Sequence, residues 1–157
     1  MISLHNIKLS EGLNRENSEK ICNWTNKYGE KFLKQWAGPA LEFPLTVEEI
    51  NKLHHLYSIF LSDEFVGVIQ KIRVEEGNVH IGRFFINPER TGAGIGGCTL
   101  SEFIKMIFSD LSINSISLAV LSDNEKARRL YEKHGFEVYE TVNGLQKKYM
   151  MRKIRDY

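Results

Sequence analysis

The sequence predicts a mixed α/β fold in which helices flank a mostly antiparallel sheet of six to seven strands. Runs with strand-like and helix-like spacing of apolar residues alternate along the 157-residue chain. Three strand-like runs between residues 57 and 87 are separated only by short polar turns, and Asn143-Gly144 separates the last two runs. Because short turns join antiparallel neighbours, most of the sheet should be antiparallel.

Length and composition indicate one ordinary globular domain, which we expect to span residues 1–157. Hydrophobic residues make up 42% and charged residues 26% of the chain. With 21 basic and 20 acidic side chains the net charge is +1, so no overall field attracts a nucleic acid or an anionic membrane. No apolar run is long enough to span a membrane and no secretory signal is recognisable, which favours a cytoplasmic location.

The first elements are predicted to be a strand at residues 2–9 and a helix that Asn14 caps and Gly29 ends. Ile21, Trp24 and Tyr28 should share one face of this helix. Residues 32–44 have no clear period. They predict either a short helix with a turn or part of a loop that covers a substrate.

The middle of the chain predicts three antiparallel strands in series. Residues 57–61 and 65–72 are apolar runs joined by a short polar turn, and residues 75–78 turn the chain into a strand at 79–87.

The second half continues with a helix over about residues 95–109, then a strand around 116–120. The buried face of the helix is predicted to contain Leu100, Phe103, Ile104, Ile107 and Leu111. Ser122 and Glu125 predict a capping box for the next helix, which Gly135 ends. The last hairpin should join runs 136–142 and 145–154 through Asn143-Gly144.

The cysteines and histidines give no metal signature. Cys22 and Cys98 lie far apart in the sequence, so two isolated thiols are favoured over a disulfide. His54 and His55 lack a third ligand at metal-binding spacing and are predicted to lie on the surface at a helix end. We therefore expect no metal ion.

Four glycines, at positions 92, 94, 96 and 97, lie between the 79–87 strand and the following helix. Glycine lets the backbone approach a ligand closely, and the N–H groups of a helix N-terminus attract anions. This arrangement predicts a phosphate site, with a merely flexible loop as the alternative.

A dinucleotide site is a second interpretation, since Gly92-x-Gly94-x-x-Gly97 matches the nicotinamide fingerprint. Residues 87–91 nevertheless separate these glycines from the strand, and antiparallel hairpins precede it. Asp123, which could mimic the ribose-binding acid, lies 26 residues past Gly97 rather than about 20 residues past the motif. An oxidoreductase is thus the weaker alternative.

Two ordered motifs resemble those of the GNAT superfamily of acyl-CoA N-acyltransferases. The window Thr91-Gly-Ala-Gly94-Ile-Gly96 is similar to the family's Arg/Gln-x-x-Gly-x-Gly/Ala loop. Downstream, residues 124–136 match Asn-x-x-Ala-x-x-Leu-Tyr-x-x-x-Gly-Phe. The resemblance implies an N-acetyltransferase that uses acetyl-CoA, with a sheet that splays beside the 79–87 strand to admit the pantetheine arm.

The resemblance also implies roles for individual residues. Backbone groups of one strand would bind the acetyl carbonyl and the pantetheine arm: Phe84, Phe85 and Ile86. The loop would hold the pyrophosphate through Thr91, Gly92, Ala93, Gly94, Ile95, Gly96 and Gly97. Asn124 would hydrogen-bond the pantetheine region, and Tyr131 would protonate the departing thiolate, since a phenol of pKa about 10 is protonated at neutral pH.

Two positions depart from the family pattern. Thr91 replaces the Arg or Gln of the loop, which should weaken coenzyme binding without abolishing it, and whether Arg90 reaches the same phosphate is left open. Ala119 stands where relatives that acetylate ribosomal protein N-termini carry a catalytic Glu, so that specificity is disfavoured.

The attacking amine must lose a proton, and His80 is the leading candidate base. Many relatives carry a Glu eleven residues before the loop's Arg/Gln position, where this chain has His80. An imidazole of pKa about 6.5 can take a proton directly or through water. The alternatives are a hydrogen-bonded strand histidine and a water molecule as the base.

The acceptor is predicted to be a small-molecule or peptide amine that attacks directly in a ternary complex, because Cys98 has no activating base. Trp36 and Arg83 are candidates for the acceptor pocket, with a core role as the alternative for Trp36. A catalytically inactive coenzyme A-binding regulatory module is the second functional alternative. The oligomeric state stays open, a homodimer included.

Overall fold

The computed structural model describes residues 6–90 and 92–156. The strands are β1 (Ile7–Glu11), β2 (Leu56–Leu61), β3 (Glu64–Glu75), β4 (Asn78–Ile86), β5 (Ser115–Leu121), β6 (Glu137–Val142) and β7 (Lys148–Ile154). The helices are α1 (Arg15–Tyr28), α2 (Glu30–Ala37), α3 (Val47–Asn51), α4 (Ile95–Phe108) and α5 (Glu125–Lys133), and a short 3-10 turn covers Pro88–Arg90. None of the described helices is both long and apolar enough to cross a membrane.

The strands form one seven-stranded sheet in the order β1-β2-β3-β4-β5-β7-β6. Every neighbouring pair is antiparallel except β4 and β5, which are parallel. The predicted mixed α/β fold with a mostly antiparallel sheet is therefore confirmed. The parallel pair sits at the centre, where the connection through α4 carries the chain from β4 to β5.

Helices cover both faces of the sheet, and each face has its own apolar core. On one face α4 and α5 pack over the strands, with Leu100 and Phe103 fully buried. On the other face α1, α2 and α3 cover β2 to β4, with Leu33 and Ile21 at the centre. We call the first the coenzyme face and the second the acceptor face, after the two reactants that the family resemblance implies.

Several local predictions are confirmed. Asn14 caps α1 by accepting a 2.8 Å hydrogen bond from the Asn17 N–H, and Gly29, at φ 96°, ends the helix. Cys22 and Cys98 are free thiols. The aperiodic segment begins as helix α2, so the short-helix alternative holds. The part of the first predicted strand at residues 2–5 lies outside the described residues, and β1 itself extends to Glu11.

Two predictions about helix ends are wrong. Helix α4 stops at Phe108, so Leu111 does not join its buried face and is 86% exposed. The Ser122 capping box does not form, because Asn124 caps α5 by accepting a 3.2 Å hydrogen bond from the Ala127 N–H. The Ser122 N–H instead donates to the carbonyl of Lys147, which ties the start of α5 to the last hairpin.

The last hairpin forms, but its predicted two-residue turn is wrong. Val142 pairs with Lys148, so residues 143–147 make a five-residue connection. Leu145 lies in this connection and is fully exposed.

Candidate active site

The parallel strands β4 and β5 separate after three paired positions. Asn78, Val79 and His80 face Ser115, Ile116 and Ser117, and the described residues form no pairing between the two strands beyond these. β4 continues to Ile86 and β5 to Leu121. A gap therefore opens in the middle of the sheet beside the strand predicted to bind the acetyl group.

A β-bulge accompanies this divergence. Between Gly82 and Phe85 the chain of β4 advances three positions while β3 advances two, from Gln70 to Val68. Arg83 occupies the bulge at φ 44°, a conformation that side-chain-bearing residues rarely adopt. Bulges bend the strand that carries them. The bulge thus turns the end of β4 out of register with β5.

The side chain of Arg83 makes two hydrogen bonds that hold the bulge in place. Its Nη1 donates to Gln70 Oε1 over 2.7 Å, and its Nε donates to the carbonyl of Ala37, at the end of α2, over 2.9 Å. Burial lowers the pKa of the guanidinium. Arg83 thus ties the end of α2 to β4 and β3, and its candidacy for the acceptor pocket stays a prediction.

The glycine loop leads into α4 with the geometry of an anion site. Gly92 and Gly94 have φ of 85° and 79°, and Gly94 is the N-cap of α4. No side chain of the described residues caps this end of the helix, and its first turn carries no acidic residue. The first-turn N–H groups are free of intrahelical partners. Together with the helix dipole, they fit a pyrophosphate.

Two described side chains of the loop region, those of Ile95 and Arg90, are engaged elsewhere. Ile95 is buried in the core of the coenzyme face, so only its backbone can meet a ligand. The Nη2 of Arg90 donates to Oε1 of Glu64, the first residue of β3, over 2.7 Å. Thr91 lies outside the described residues.

Helix α5 packs directly against the first turn of α4. His134 places its Nε2 3.1 Å from the carbonyl of Gly97, and a Cβ at Gly97 or Gly96 would contact Leu130 at 3.7 Å. Asn124 and Tyr131 are on this helix. The structure therefore brings the two sequence motifs together on the coenzyme face.

Tyr131 has the properties of a proton donor. Its half-buried ring packs against Phe136 with centroids 6.0 Å apart. Burial raises the pKa of Tyr131 to about 12, so the phenol stays protonated at neutral pH. Asn124 uses its Oδ1 for the helix cap, which leaves its amide N–H groups for a ligand.

His80 lies at the last paired position before the strands diverge. Val79 and Ile81 face the coenzyme-side core, so alternation turns His80 toward the acceptor face. Its Nδ1 is 2.8 Å from Ser117 Oγ. Burial, reinforced by the cations Arg73 and Lys148, lowers the pKa of His80 to about 4, so the ring is neutral at physiological pH.

A cleft of about 250 Å³ opens on the acceptor face beside the end of β5. It is lined by Lys31, Lys34, Gln35, Leu121, Asp123 and Gln146. Most of these residues were missed from the sequence, because they come from α2, β5 and the last hairpin loop and share no motif. Trp36 does not line the cleft; its ring packs 5.0 Å from Phe85, in the core position that was the alternative prediction.

Comparison with known proteins agrees with this geometry. A family model described as Acetyltransferase (GNAT) family matches residues 18–136. Acetyltransferase PseH of Campylobacter jejuni subsp. jejuni serotype O:23/36 (strain 81-176) is 27% identical over 134 residues, which cover 82% of each protein.

Two solved structures share the fold. The Vibrio cholerae spermidine N-acetyltransferase, in complex with CoA and spermine, has a TM-score of 0.76 and 20% identity, with 96% of each chain covered. Campylobacter jejuni N-acetyltransferase PseH has a TM-score of 0.67 and 22% identity, with 96% of this chain and 99% of that chain covered. Because the family model covers both motifs and most of the sequence, the nicotinamide interpretation is excluded, and the chain belongs to the GNAT acetyltransferase family as an acetyl-CoA-dependent N-acetyltransferase.

Proposed function

We propose that this enzyme transfers the acetyl group of acetyl-CoA to a primary amine by direct attack in a ternary complex. The gap between β4 and β5 supports this proposal, because the two strands have no pairing among the described residues beyond His80 and Ser117, which leaves room between them for the reacting groups. The coenzyme enters from the side of α4 and α5, and the amine enters through the cleft beside α2.

On the coenzyme face, backbone groups do most of the binding. The N–H groups from Gly92 to Gly97 hold the pyrophosphate, and the amide of Asn124 holds the pantetheine arm. The backbone of Phe84 to Ile86 aligns the acetyl carbonyl in the gap. Bound acetyl-CoA supplies a thioester, whose carbonyl carbon is the electrophile.

Two side chains move protons on opposite faces of the sheet. His80 takes a proton from the amine, directly or through a water molecule, so that the nitrogen lone pair can attack. A C–N bond forms while the C–S bond breaks, and its electron pair leaves with sulfur. Tyr131 gives its proton to that sulfur.

The acceptor is a small molecule or an exposed amine of a peptide. A cleft of about 250 Å³ holds roughly eight waters at ~30 Å³ each, which suits one small ligand or one side chain. Its walls carry both cationic and anionic groups, Lys31 and Asp123 among them, so polar contacts can orient the amine.

Coenzyme binding gives the first test. Acetyl-CoA at a hundredfold excess over its Kd should stabilise the protein by about 2.7 kcal/mol, and NADH should not change the melting temperature. Turnover is then measured as acetyl-CoA-dependent thiol release across chemically diverse amines, with mass spectrometry of the products. Stabilisation by NADH alone would contradict the proposal, and binding without thiol release for any amine would favour a regulatory module.

His80 is tested by its effect on the pH profile. The His80→Ala and His80→Gln variants should lower kcat/KM by about 100-fold near neutral pH, because general bases contribute roughly 10²–10⁴. The loss should shrink as the pH approaches the pKa of the amine, where the free base is already abundant. The wild type should show no inflection from His80 between about pH 5 and 8, since its pKa is about 4. If the pH profiles of kcat/KM are parallel for the wild type and the variants, His80 is not the general base.

A further inference from the structure

Side-chain hydrogen bonds link β4 to β5 at the positions where the two strands are still paired. Ser115 Oγ donates to Asn78 Oδ1 over 2.7 Å, and Asn78 Nδ2 donates to Ser117 Oγ over 2.8 Å. Ser117 Oγ then lies 2.8 Å from His80 Nδ1. We call these four residues the interstrand relay.

The inner end of the relay is shielded from water. Ser117 is 2% exposed and His80 is 7% exposed. Buried polar atoms depend on protein partners, so water cannot replace these bonds without cost. Strand alternation places both side chains on the acceptor face, at the apex of the gap.

We propose that Ser117 is a positioning residue for acetyl transfer: its Oγ accepts a hydrogen bond from the Nδ1–H of His80 and so presents an unprotonated Nε2 to the amine. This inference rests on the proposed function, in which His80 receives the proton. In a neutral imidazole, the hydrogen bond made by one ring nitrogen selects the tautomer and so determines the state of the other.

The outer half of the relay prepares Ser117 for this role. The hydroxyl of Ser115 donates to Asn78 Oδ1, which turns the Asn78 amide N–H toward Ser117. A hydroxyl oxygen can accept two hydrogen bonds, so Ser117 Oγ can accept from the His80 ring as well as from Asn78. The opposite direction, in which the Ser117 hydroxyl donates to Nδ1, would place the hydrogen of the ring on Nε2 and would contradict the inference. The hydrogen bonds of the described residues leave His80 Nε2 unengaged.

The charges near His80 do not counteract the selection of the tautomer by Ser117. Arg73 on β3 and Lys148 on β7 are the charged groups that act on the ring, and both disfavour its protonated form. The ring is therefore neutral at the pH of the assay with or without the Ser117 hydroxyl. Ser117 controls which nitrogen carries the hydrogen and where the ring points.

A matched pair of variants tests the inference. Thr and Val have nearly the same shape and differ in the hydroxyl. Ser117→Thr should keep kcat within about threefold of the wild type, and Ser117→Val should lower kcat about tenfold or more, as for other residues that orient a reactive group. The KM for acetyl-CoA should be equal in the two variants. Ser115→Ala, which removes only the outer hydrogen bond, should lower kcat by less than Ser117→Val does.

Nitrogen-15 NMR of the His80 ring measures which tautomer is present. A purely structural role of Ser117 would leave the tautomer unchanged in the variants. We expect the Nδ1-protonated tautomer in the wild type and in Ser117→Thr, and its loss in Ser117→Val. If a β-branched side chain unfolds the protein, Ser117→Ala removes the hydroxyl without adding volume. Equal kcat and equal tautomers with and without the hydroxyl overturn the inference. If His80→Gln has a lowered kcat while Ser117→Thr and Ser117→Val have equal kcat, only the positioning role of Ser117 is wrong. If His80→Gln also has the kcat of the wild type, the proposed role of His80 as the base is wrong as well.

Discussion

Replacing Tyr131 by Phe should lower kcat by about 100-fold and leave the Kd for acetyl-CoA unchanged, because general acids contribute roughly 10²–10⁴ to turnover. The ring contact with Phe136 survives the substitution, so α5 should keep its position. Only the hydroxyl is lost. With its pKa raised to about 12, this hydroxyl is protonated throughout the working pH range, as its proposed role of proton donor to the thiolate requires.

Tyr139→Phe is the matched control, since it removes a hydroxyl from an exposed tyrosine on β6, where the ring lies against Arg152. Its kcat should equal that of the wild type. Calorimetry with acetyl-CoA separates binding from turnover in both variants. With an acetyl thioester whose thiol is more acidic, the difference in kcat between Tyr131→Phe and the wild type should be smaller, because such a thiolate depends less on protonation to leave. A full rate for Tyr131→Phe would exclude Tyr131 as the acid.

The sequence predicted the parts of this site that depend on local chemistry. The glycine loop and the 124–136 segment have short sequence motifs, and the structure packs the two segments against each other. Asn124 shows the limit of such reasoning. The family resemblance assigns Asn124 to the coenzyme and the spacing assigns Ser122 to the cap. Asn124 nevertheless caps α5, since it lies two residues closer than Ser122 to the first free N–H groups of the helix.

The remaining features of the site depend on contacts between segments that are distant in the sequence. The interstrand relay joins residues 37 and 39 positions apart, and Ser117 shows no signal until β4 and β5 are known to be parallel neighbours. The acceptor cleft likewise needs α2, β5 and the hairpin loop together. Helix α2 was ambiguous because its eight residues cover barely two turns, too few to establish a period.

The neighbouring strand β3 limits how far β4 can shift, and Gly67 carries this constraint. A Cβ at Gly67 would overlap the backbone carbonyl oxygen of Phe85, in the segment proposed to bind the acetyl group. The backbone of Phe85 cannot rotate away from the added Cβ as a side chain could. Gly67→Ala should therefore destabilise the protein by about 3 kcal/mol, at the upper end for an overpacked core, measured by denaturant unfolding.

Gly82→Ala provides the comparison, because the added Cβ would meet the end of the Ile72 side chain at 2.6 Å, and that methyl can move. We expect this variant to lose less than about 1 kcal/mol, as is usual when the surroundings can adjust. Gly67→Ala should in addition weaken acetyl-CoA binding about tenfold or more, because a displaced β4 no longer aligns the backbone of Phe85 with the carbonyl. Equal stability and equal acetyl-CoA affinity in the two variants would mean that β4 moves freely, and the gap between β4 and β5 would then not be set by close packing against β3.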